Sequence, residues 1–461
     1  MITRLQSFGP DLREMARIAA PIVFVSVGIQ LMGVVDALMV GRLGGYAIAS
    51  VALGNFYFFN ISIFGIGLLY AIDPVVAQAV GAGDDAGVAL GVQRGMVLAI
   101  TLSVLIMLAL APGEWVLSAL QQPADVIEPT AMYSRRRLLG VLPFLLFNVW
   151  RQTLQAMGPV RPIVIAVIGA NVINALANYA LIYGNFGFPA MGVVGAGWAT
   201  AISQWAMALM LLALAWPLLR ASVRPWRPEV WQWAPLARMI GIGVPIGTQW
   251  FFEAFAFGIT TIFMGWMGTA SLAGHEIALN MAALTFMVPL GFSGAAAAVV
   301  GRAIGRGDVT TARRDAAAAI VCAVAFMCCS AAVFIAVPSF LATRYTHDAA
   351  TIAVAISLIP IAGVFQVFDG TQAVTSGVLR GTGDTRIPAI LHMVAFWGVG
   401  VPLGAALGFL TPLRERGLWW GLTAGLATAA ILQTWRVVVR LRGDIARVQI
   451  DAAPARALSG D

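Results

Sequence analysis

Three acidic residues fall in the middle of long apolar stretches, where an ionisable side chain is costly and is by default a functional candidate. They are Asp36, Glu253 and Asp369. An isolated carboxylate in a membrane normally takes up a proton unless a cation or hydrogen-bond donors balance its charge. These residues therefore indicate a protein that binds and releases cations or protons, and we expect no enzymatic activity.

Polar residues of the fifth and sixth predicted spans could complete a site around Asp36. Asn174 and Asn178 are four residues apart and share one helix face, and Thr200 and Gln204 are likewise one turn apart. A carboxylate, two amide oxygens and a hydroxyl form a hard-oxygen set suited to a small cation such as Na⁺, or the carboxylate could take up a proton instead. The alternative is that these side chains only hold the helices together.

A second acidic site is predicted in the C-terminal half. Two spans each carry a polar face around one acid: Gln249, Glu253, Phe257 and Thr260 on the seventh, and Gln366, Asp369 and Ser376 on the tenth. Carboxylates facing a wet cavity with aromatic and Met-rich walls suit organic cations, through charge attraction and cation–π contacts. The alternative is a structural pairing of each acid with an arginine near a helix end.

Two further acids lie closer to predicted helix ends. Asp73 precedes Pro74 near the end of the second span and is a secondary candidate, for which a local structural role is favoured. Glu276 falls in the first turn of the predicted eighth span, where a carboxylate complements the helix dipole, so we expect it to cap that helix.

The elements that carry these residues follow from composition. The chain has 461 residues, 60% hydrophobic and 11% charged, against about 25% charged in an ordinary soluble protein. Apolar runs of membrane-spanning length predict an all-α integral membrane protein with twelve transmembrane helices. The runs are about 15–40, 51–80, 88–111, 130–157, 162–184, 191–216, 236–265, 275–302, 314–337, 350–379, 388–410 and 417–440.

All 28 basic residues are arginine. Without lysine the chain cannot form a P-loop or a retinal or pyridoxal Schiff base, which excludes an ATP-driven pump on this chain, a rhodopsin and a pyridoxal enzyme. The cysteines and histidines lack metal-ligand spacing. We expect no cofactor beyond a coupling ion of Na⁺ or H⁺, no ATPase subunit and no nucleic-acid partner, and a protein that works as a monomer among membrane lipids.

Arginine placement predicts the orientation. Only seven of the 28 arginines fall on the side opposite the N-terminus: Arg42, Arg135, Arg136, Arg137, Arg344, Arg414 and Arg416. By the positive-inside rule both termini are cytoplasmic, and we expect a multi-pass protein of the bacterial inner membrane. The run Arg135 to Arg137 opposes the rule and has no explanation in the sequence.

The second half repeats the first at a shift of about 224 residues. The matching segments are Pro21 with Pro245, MVGRLG at 39–44 with FMGWMG at 263–268, VGAGD at 80–84 with IGRGD at 304–308, and LQAMGPVRP at 154–162 with LRGTGDTRIP at 379–388. Because the shift contains six spans, an even number, the halves are parallel six-helix bundles related by a pseudo-two-fold axis along the membrane normal. That arrangement is typical of a rocking, alternating-access carrier.

The predicted domain organisation follows this repeat. An N-lobe spans 1–216, a cytoplasmic linker rich in Pro, Arg and Trp spans 217–234, a C-lobe spans 235–440, and a cytoplasmic tail spans 441–461.

The chain resembles the multidrug and toxic compound extrusion (MATE) family, close to its NorM branch, over essentially its whole length. The motifs are Asp36 with GRLG at 41–44, LQAMGPVRP at 154–162, NALANY at 174–179, QWFFEAF at 249–255, FDGTQAVTSGVLRGTGDTRIP at 368–388 and HMVAFWGVGVPLG at 392–404. The resemblance implies an antiporter that expels organic cations in exchange for Na⁺ or H⁺.

The resemblance also implies roles for particular residues. The N-lobe cation site consists of Asp36, Asn174, Asn178 and Thr200, and the C-lobe acids are Glu253 and Asp369. One position departs from the family pattern, because Phe365 stands where some relatives are expected to have a tyrosine. Because of this departure, we expect the coupling ion to bind in the N-lobe rather than in the C-lobe.

Three alternatives are less consistent with the residues. A related flippase for lipid-linked oligosaccharides is expected to have a strongly cationic cavity, whereas the mid-span charges here are acidic. A membrane-embedded prenyl or glycosyl transferase would need clustered Asp-rich metal motifs, and Asp84 with Asp85 is an insufficient ligand set. A major-facilitator carrier would have a GxxxDRxGRR-type loop after the second span, which this sequence does not contain.

Overall fold

The computed structural model describes residues 9–451, and all regular elements in that range are helical. The six long helices of the N-terminal half are α1 (Gly9–Gly41), α2 (Gly45–Gly81), α3 (Asp85–Leu110), α4 (124–157), α5 (Arg161–Tyr183) and α6 (Gly192–Val223). Two of them are interrupted: α2 breaks at residues 70–71, and α4 contains a 3₁₀ turn at Leu138–Gly140.

The C-terminal half repeats this pattern with α7 (Trp233–Met267), α8 (Thr269–Gly305), α9 (Val309–Ala336), α10 (Ala349–Gly381), α11 (Arg386–Phe409) and α12 (Glu415–Arg440). A short helix precedes the fourth long helix of each half, at Gly113–Ala119 and Pro338–Thr343. Within α11 the segment Val394–Gly400 is a π-helix.

The predicted all-α membrane fold is confirmed. Eleven of the long helices have the length and apolar composition needed to cross a membrane. The remaining one is α4, which is divided by its 3₁₀ turn and carries Arg135 to Arg137.

Two helices extend beyond the limits that the sequence indicates. Because α8 begins at Thr269, Glu276 lies about two turns inside it, and the predicted capping role is wrong. Helix α6 continues through Pro217 to Val223, into the segment predicted to be a linker, and a 3₁₀ turn at Pro228–Trp231 follows before α7.

The repeated VGAGD and IGRGD segments form the same turn in both halves. Gly83 and Gly307 have φ values of 67° and 75°, in the left-handed region that glycine adopts without strain. The next residue then caps the following helix: Asp84 Oδ1 accepts from Gly87 N at 2.8 Å, and Asp308 Oδ1 accepts from Thr311 N at 2.9 Å. A carboxylate at this position satisfies a backbone donor that the helix leaves free.

The two halves meet tightly at one end of the bundle, which we call the terminal face because it carries Gly9 and the turns after α2 and α8. There Gln78 Nε2 of α2 donates to the Gly381 carbonyl at 2.8 Å, and Arg302 Nη1 of α8 donates to the Ala156 carbonyl at 3.0 Å. A Cβ on Gly67 of α2 would stand 2.7 Å from the Gly247 backbone, so only small residues permit this approach.

The segment 441–451 leaves α12 in the C-terminal half and packs along the N-terminal half. Arg447 pairs with Asp84 at 2.5 Å, and the Val448 N–H donates to Gln78 Oε1 at 2.7 Å. Asp451 forms an ion pair with Arg94 at 2.6 Å. The predicted tail therefore connects the halves along its described part, while 452–461 lie outside the described residues.

Replacing Asp84 with Ala is expected to lower the melting temperature of the purified protein, with about 1 kcal/mol from the lost cap. The Gly87 N–H and the Arg447 guanidinium lower the pKa of Asp84. Its contribution is therefore present above the ordinary aspartate pKa of about 4 and is lost as the pH falls through the lower folded-state value. Thermal unfolding in detergent at several pH values checks this, and Asp85→Ala, at the exposed next residue, is the control. Equal melting temperatures for the two variants at pH 7 would contradict it.

Candidate ion and cation sites

The N-terminal half brings together the four residues that the sequence predicts to form a cation site. Asp36 Oδ1 accepts from Asn174 Nδ2 at 2.9 Å and from Asn178 Nδ2 at 2.5 Å, while Asp36 Oδ2 accepts from Thr200 Oγ1 at 3.0 Å. All four side chains are buried, with 3% of Asp36 exposed. Three helices, α1, α5 and α6, therefore meet at one carboxylate.

The amides of this site point their nitrogens at the carboxylate. Asn178 Nδ2 lies 3.2 Å from Asn174 Oδ1, and Asn178 Oδ1 has no hydrogen-bond partner within residues 9–451. Because an amide group has a donor end and an acceptor end of similar shape, a half-turn of either side chain would present oxygen instead. With their nitrogens toward Asp36, the two amides donate hydrogen bonds to its free carboxylate. With their oxygens turned inward, the four side chains would surround a cation with oxygen ligands.

Close helix approach positions these side chains. A Cβ on Gly28 of α1 would stand 2.6 Å from Val167 of α5, and Asn171 Nδ2 donates across the same contact to the Gly28 carbonyl at 2.9 Å. On the other side of α5, a Cβ on Gly195 would stand 2.5 Å from the Leu181 carbonyl oxygen. Asn171 continues the stripe of Asn174 and Asn178, so the periodicity of α5 and these glycines together fix the site.

A group of residues beside this site is missed by the sequence analysis. Arg137 points into the N-terminal half, where its guanidinium carbon lies 3.9 Å from the centre of the Phe58 ring and its Nη1 donates to Asn55 Oδ1. Tyr133 Oη donates to the same oxygen at 3.0 Å. The guanidinium is close enough to act electrostatically on Asp36. The sequence did contain a signal for this group, because the run Arg135 to Arg137 violates the positive-inside rule. One arginine of that run, Arg137, makes contacts inside the N-terminal half.

The two acids of the C-terminal half lie on either side of one amide. Gln372 Nε2 is 3.1 Å from Glu253 Oε1 and 3.3 Å from Asp369 Oδ1. Asp369 is 7% exposed, and the Glu253 side chain is 17% exposed. The structure thus joins the polar faces of α7 and α10, as the sequence predicts, but through a glutamine that sequence reasoning did not single out.

A histidine completes this second cluster. His392 Nε2 of α11 lies 3.3 Å from Glu253 Oε2. The other ring nitrogen, Nδ1, lies 3.5 Å from Gln249 Nε2 and 3.3 Å from Gln433 Nε2. Sequence reasoning considered the histidines only as metal ligands, and nothing in the spacing shows that α11 turns this one toward an acid of α7.

Of the three glutamines that the sequence offers as secondary candidates, one belongs to the C-half cluster and two lie elsewhere. Gln249 belongs to the cluster, and it donates to Ser376 Oγ at 3.0 Å. Gln366 instead bonds to hydroxyls of α8 and α9. Gln204 packs against Gly140 and its Oε1 has no hydrogen-bond partner in the described part of the chain.

Asp73 lies outside both sites. Its carboxylate is 3.4 Å from Arg380 Nε of α10, so the pair joins the two halves near the terminal face. A structural pairing with an arginine, the alternative considered for the C-half acids, is thus what the structure shows for Asp73.

The helices that carry the C-half cluster also carry aromatic rings that pack on one another. Trp397 stacks on Phe255 with ring centres 5.6 Å apart, and it meets Phe252 edge-on at 5.9 Å. Phe365, at the position that departs from the family pattern, packs against Phe257 at 6.0 Å. A phenyl ring supplies no oxygen there, so this position offers no ligand to a small cation.

Comparison with known proteins agrees with this architecture. A sequence model of the MatE family matches residues 21–180 and again 245–406, two segments whose starts differ by the 224 residues of the internal repeat. The chain belongs to the MatE family. The predicted family resemblance and the internal duplication are thereby confirmed.

Relatives within the MatE family match almost the whole chain. Multidrug resistance protein PmpM of Pseudomonas aeruginosa is 35% identical, over 98% of this chain and 96% of the relative. Multidrug resistance protein NorM of Burkholderia vietnamiensis is 36% identical, over 94% and 96%. Among solved structures, the eukaryotic MATE transporter AtDTX14 has a TM-score of 0.86 at 20% identity and covers 94% of this chain and 98% of its own. That likeness shows the two-lobed fold.

The hydrogen bonds to Asp36 predict a specific loss of stability. Asn178→Ala removes a donor to a buried carboxylate and should cost about 1.5 to 3 kcal/mol of unfolding free energy. The control is Asn185→Ala, which removes an exposed amide bonded only to the nearby Tyr179 carbonyl. Thermal unfolding in detergent compares the two. If Asn178→Ala melts no lower than Asn185→Ala, the carboxylate does not depend on this donor.

Proposed function

We propose that this protein is a secondary antiporter that exports cationic, amphipathic drugs and toxic organic compounds in exchange for Na⁺ or H⁺. One observation carries the proposal: Asp36 is 3% exposed and is hydrogen-bonded by two amides and a hydroxyl, all of them neutral. Such a carboxylate can bind a cation, or it can take up a proton as an O–H bond that breaks again when the proton is released. The names of the bacterial relatives, which are multidrug resistance proteins over nearly the whole chain, support drugs as the cargo.

The donor set fits either coupling ion. Na⁺ would bind between the Asp36 carboxylate and the oxygens of Asn174, Asn178 and Thr200 after the two amides turn, because hard cations prefer oxygen ligands. A proton would bind the Asp36 carboxylate directly, and Asn174, Asn178 and Thr200 would remain its hydrogen-bond partners. In both cases the net charge of the site rises by one, which removes the cost of an uncompensated carboxylate inside the membrane.

The closed terminal face indicates where the halves must open during transport. With the termini in the cytoplasm, as the arginine distribution predicts, this face lies on the cytoplasmic side of the bacterial inner membrane. Loading from the cytoplasm requires the two halves to separate there. The contacts to be broken include Gln78 with Gly381, Arg302 with Ala156, and the Asp73–Arg380 pair.

The C-half cluster supports the choice of organic cations over an anionic cargo. Glu253 and Asp369 are the acids of this cluster, and the Phe396 ring lies 4.8 Å from the ring of His392, which contacts Glu253. Lipophilic cations bind such surroundings through charge and cation–π attraction. A lipid-linked pyrophosphate would be repelled by both carboxylates, which disfavours the flippase alternative.

Replacing Asp36 with Asn is expected to abolish exchange while leaving insertion and folding intact, because the amide keeps the shape of the carboxylate but carries no charge to exchange. The assay uses proteoliposomes loaded with rhodamine 6G, with a Na⁺ gradient and a pH gradient imposed separately. Asp85→Asn, an exposed acid of the turn before α3, is the matched control and should transport like the wild-type protein.

Two results would contradict the proposal. If neither gradient drives the wild-type protein to move any of several cationic dyes, the antiporter assignment fails. If Asp36→Asn moves the dye at the wild-type rate, the assignment of coupling to this carboxylate fails.

A further inference from the structure

His392 lies in the C-half cluster in a way that the proposed function leaves unexplained. The side chain is 1% exposed, although a buried histidine loses its hydration and needs partners for both ring nitrogens. It is in contact with Glu253 through Nε2 and with two glutamine amides through Nδ1. The ring also tilts against Phe396, with centres 4.8 Å apart. A purely space-filling position would not need an acid and two amides.

The helix that carries His392 is irregular at this point. The π-helix Val394–Gly400 begins two residues later, and such segments occur mostly as local widenings at functional sites. Gly400 of α11 lies against Gly425 of α12, where an added Cβ would stand 3.2 Å from the neighbouring backbone. The widened turn and the close packing on α12 together hold the imidazole toward the interior of the half.

The charged groups around the ring come from two neighbouring helices. Glu253 on α7 is in direct contact, and Asp369 on α10 is linked to the same carboxylate through the amide of Gln372. The remaining groups are neutral: Gln249 of α7 and Gln433 of α12. Within the described residues, His392 is thus a basic side chain in contact with Glu253, and through Gln372 it lies one amide away from Asp369.

We propose that His392 is the residue at which a proton competes with the cationic substrate for Glu253, so that the C-half site binds either one. This inference rests on the proposed export of organic cations. When His392 is protonated, its positive charge neutralises the Glu253 carboxylate, whose Oε2 lies 3.3 Å from Nε2. The site then attracts an organic cation less strongly. When the cation occupies Glu253, His392 is neutral and has released its proton to water.

The surrounding amides can serve both forms of the ring. In the neutral form with the proton on Nε2, Nδ1 accepts from the amides of Gln249 and Gln433. In the protonated form Nδ1 also carries a hydrogen, and a half-turn of the Gln433 amide would bring its oxygen to that hydrogen. Gln433 Oε1 now accepts from Ser376 Oγ at 2.9 Å, and Ser376 Oγ in turn accepts from Gln249 Nε2. If the Gln433 amide turned, the Ser376 hydroxyl and the Gln249 amide would therefore reorient with it. Histidine is suited to such an exchange because each ring nitrogen can either carry a hydrogen or accept one.

The test measures binding of rhodamine 6G to the purified full chain, by fluorescence anisotropy at pH 5, 6, 7 and 8. For the wild-type protein one competing proton should weaken binding by up to about tenfold per pH unit on the acidic side. In His392→Gln, which keeps a polar side chain but cannot be protonated, the affinity should no longer change with pH in this way.

The matched control is His275→Gln, which replaces another buried histidine of the same half. His275 Nε2 lies 3.0 Å from Thr261 Oγ1 and its ring packs edge-on against Trp419, with no acid in contact among the described residues. This variant should keep the wild-type pH dependence. An unchanged pH dependence in His392→Gln would overturn the proposal, and so would its loss in both variants.

A second measurement does not depend on a variant. Rhodamine 6G added to the weakly buffered wild-type protein near pH 6 should release about one proton per bound dye, read with a soluble pH indicator. Binding without proton release overturns the role of His392 and leaves the antiporter proposal intact. Failure of the wild-type protein to bind or transport any cationic dye would instead overturn the proposed function.

Discussion

A carboxylate inside a membrane must be neutralised or hydrogen-bonded, and this chain has no lysine with which to neutralise one. The acids of the interior are stabilised in different ways. Asp73 pairs with an arginine, Asp36 accepts from neutral donors, and Glu253 meets a histidine and shares an amide with Asp369. The arginine pair joins the halves, whereas in the proposed function the neutral partners of Asp36 and the histidine beside Glu253 let these carboxylates exchange a cation or a proton.

The duplication places these groups in two similar halves that contact each other at the terminal face. The same glycine turn and aspartate cap recur in both halves, at Gly83 with Asp84 and at Gly307 with Asp308, and they end helices that pass each other at the terminal face. Small residues allow those helices to touch without long interlocking side chains. The halves are therefore joined by close packing of small residues, by hydrogen bonds, by the ion pairs Asp73–Arg380 and Asp11–Arg314, and by the 441–451 segment.

Much of this could be predicted from the sequence, because membrane-length apolar runs, arginine placement and repeated motifs are local properties. The Asn174–Asn178 spacing also identified a helix face that meets Asp36. The partners that depend on how separate helices rotate toward each other could not be predicted: His392 beside Glu253, and Arg137 beside the N-half site. The capping role expected for Glu276 is wrong for a related reason. Helix α8 begins at Thr269, before the start of the apolar run, so Glu276 does not lie in its first turn.

The proposed antiport requires that the charge on Asp36 control how the two halves are arranged. The most direct test is the distance between spin labels at Trp115 and Phe340, which are 73% and 57% exposed on the short helices of the two halves, in a background without the three cysteines. Pulsed dipolar spectroscopy in lipid should show two distances for the otherwise wild-type protein. Their proportions should change with Na⁺ or with pH, while those of Asp36→Asn should stay constant. If Asp36→Asn responds to the same ions as the wild-type protein does, the claim is contradicted.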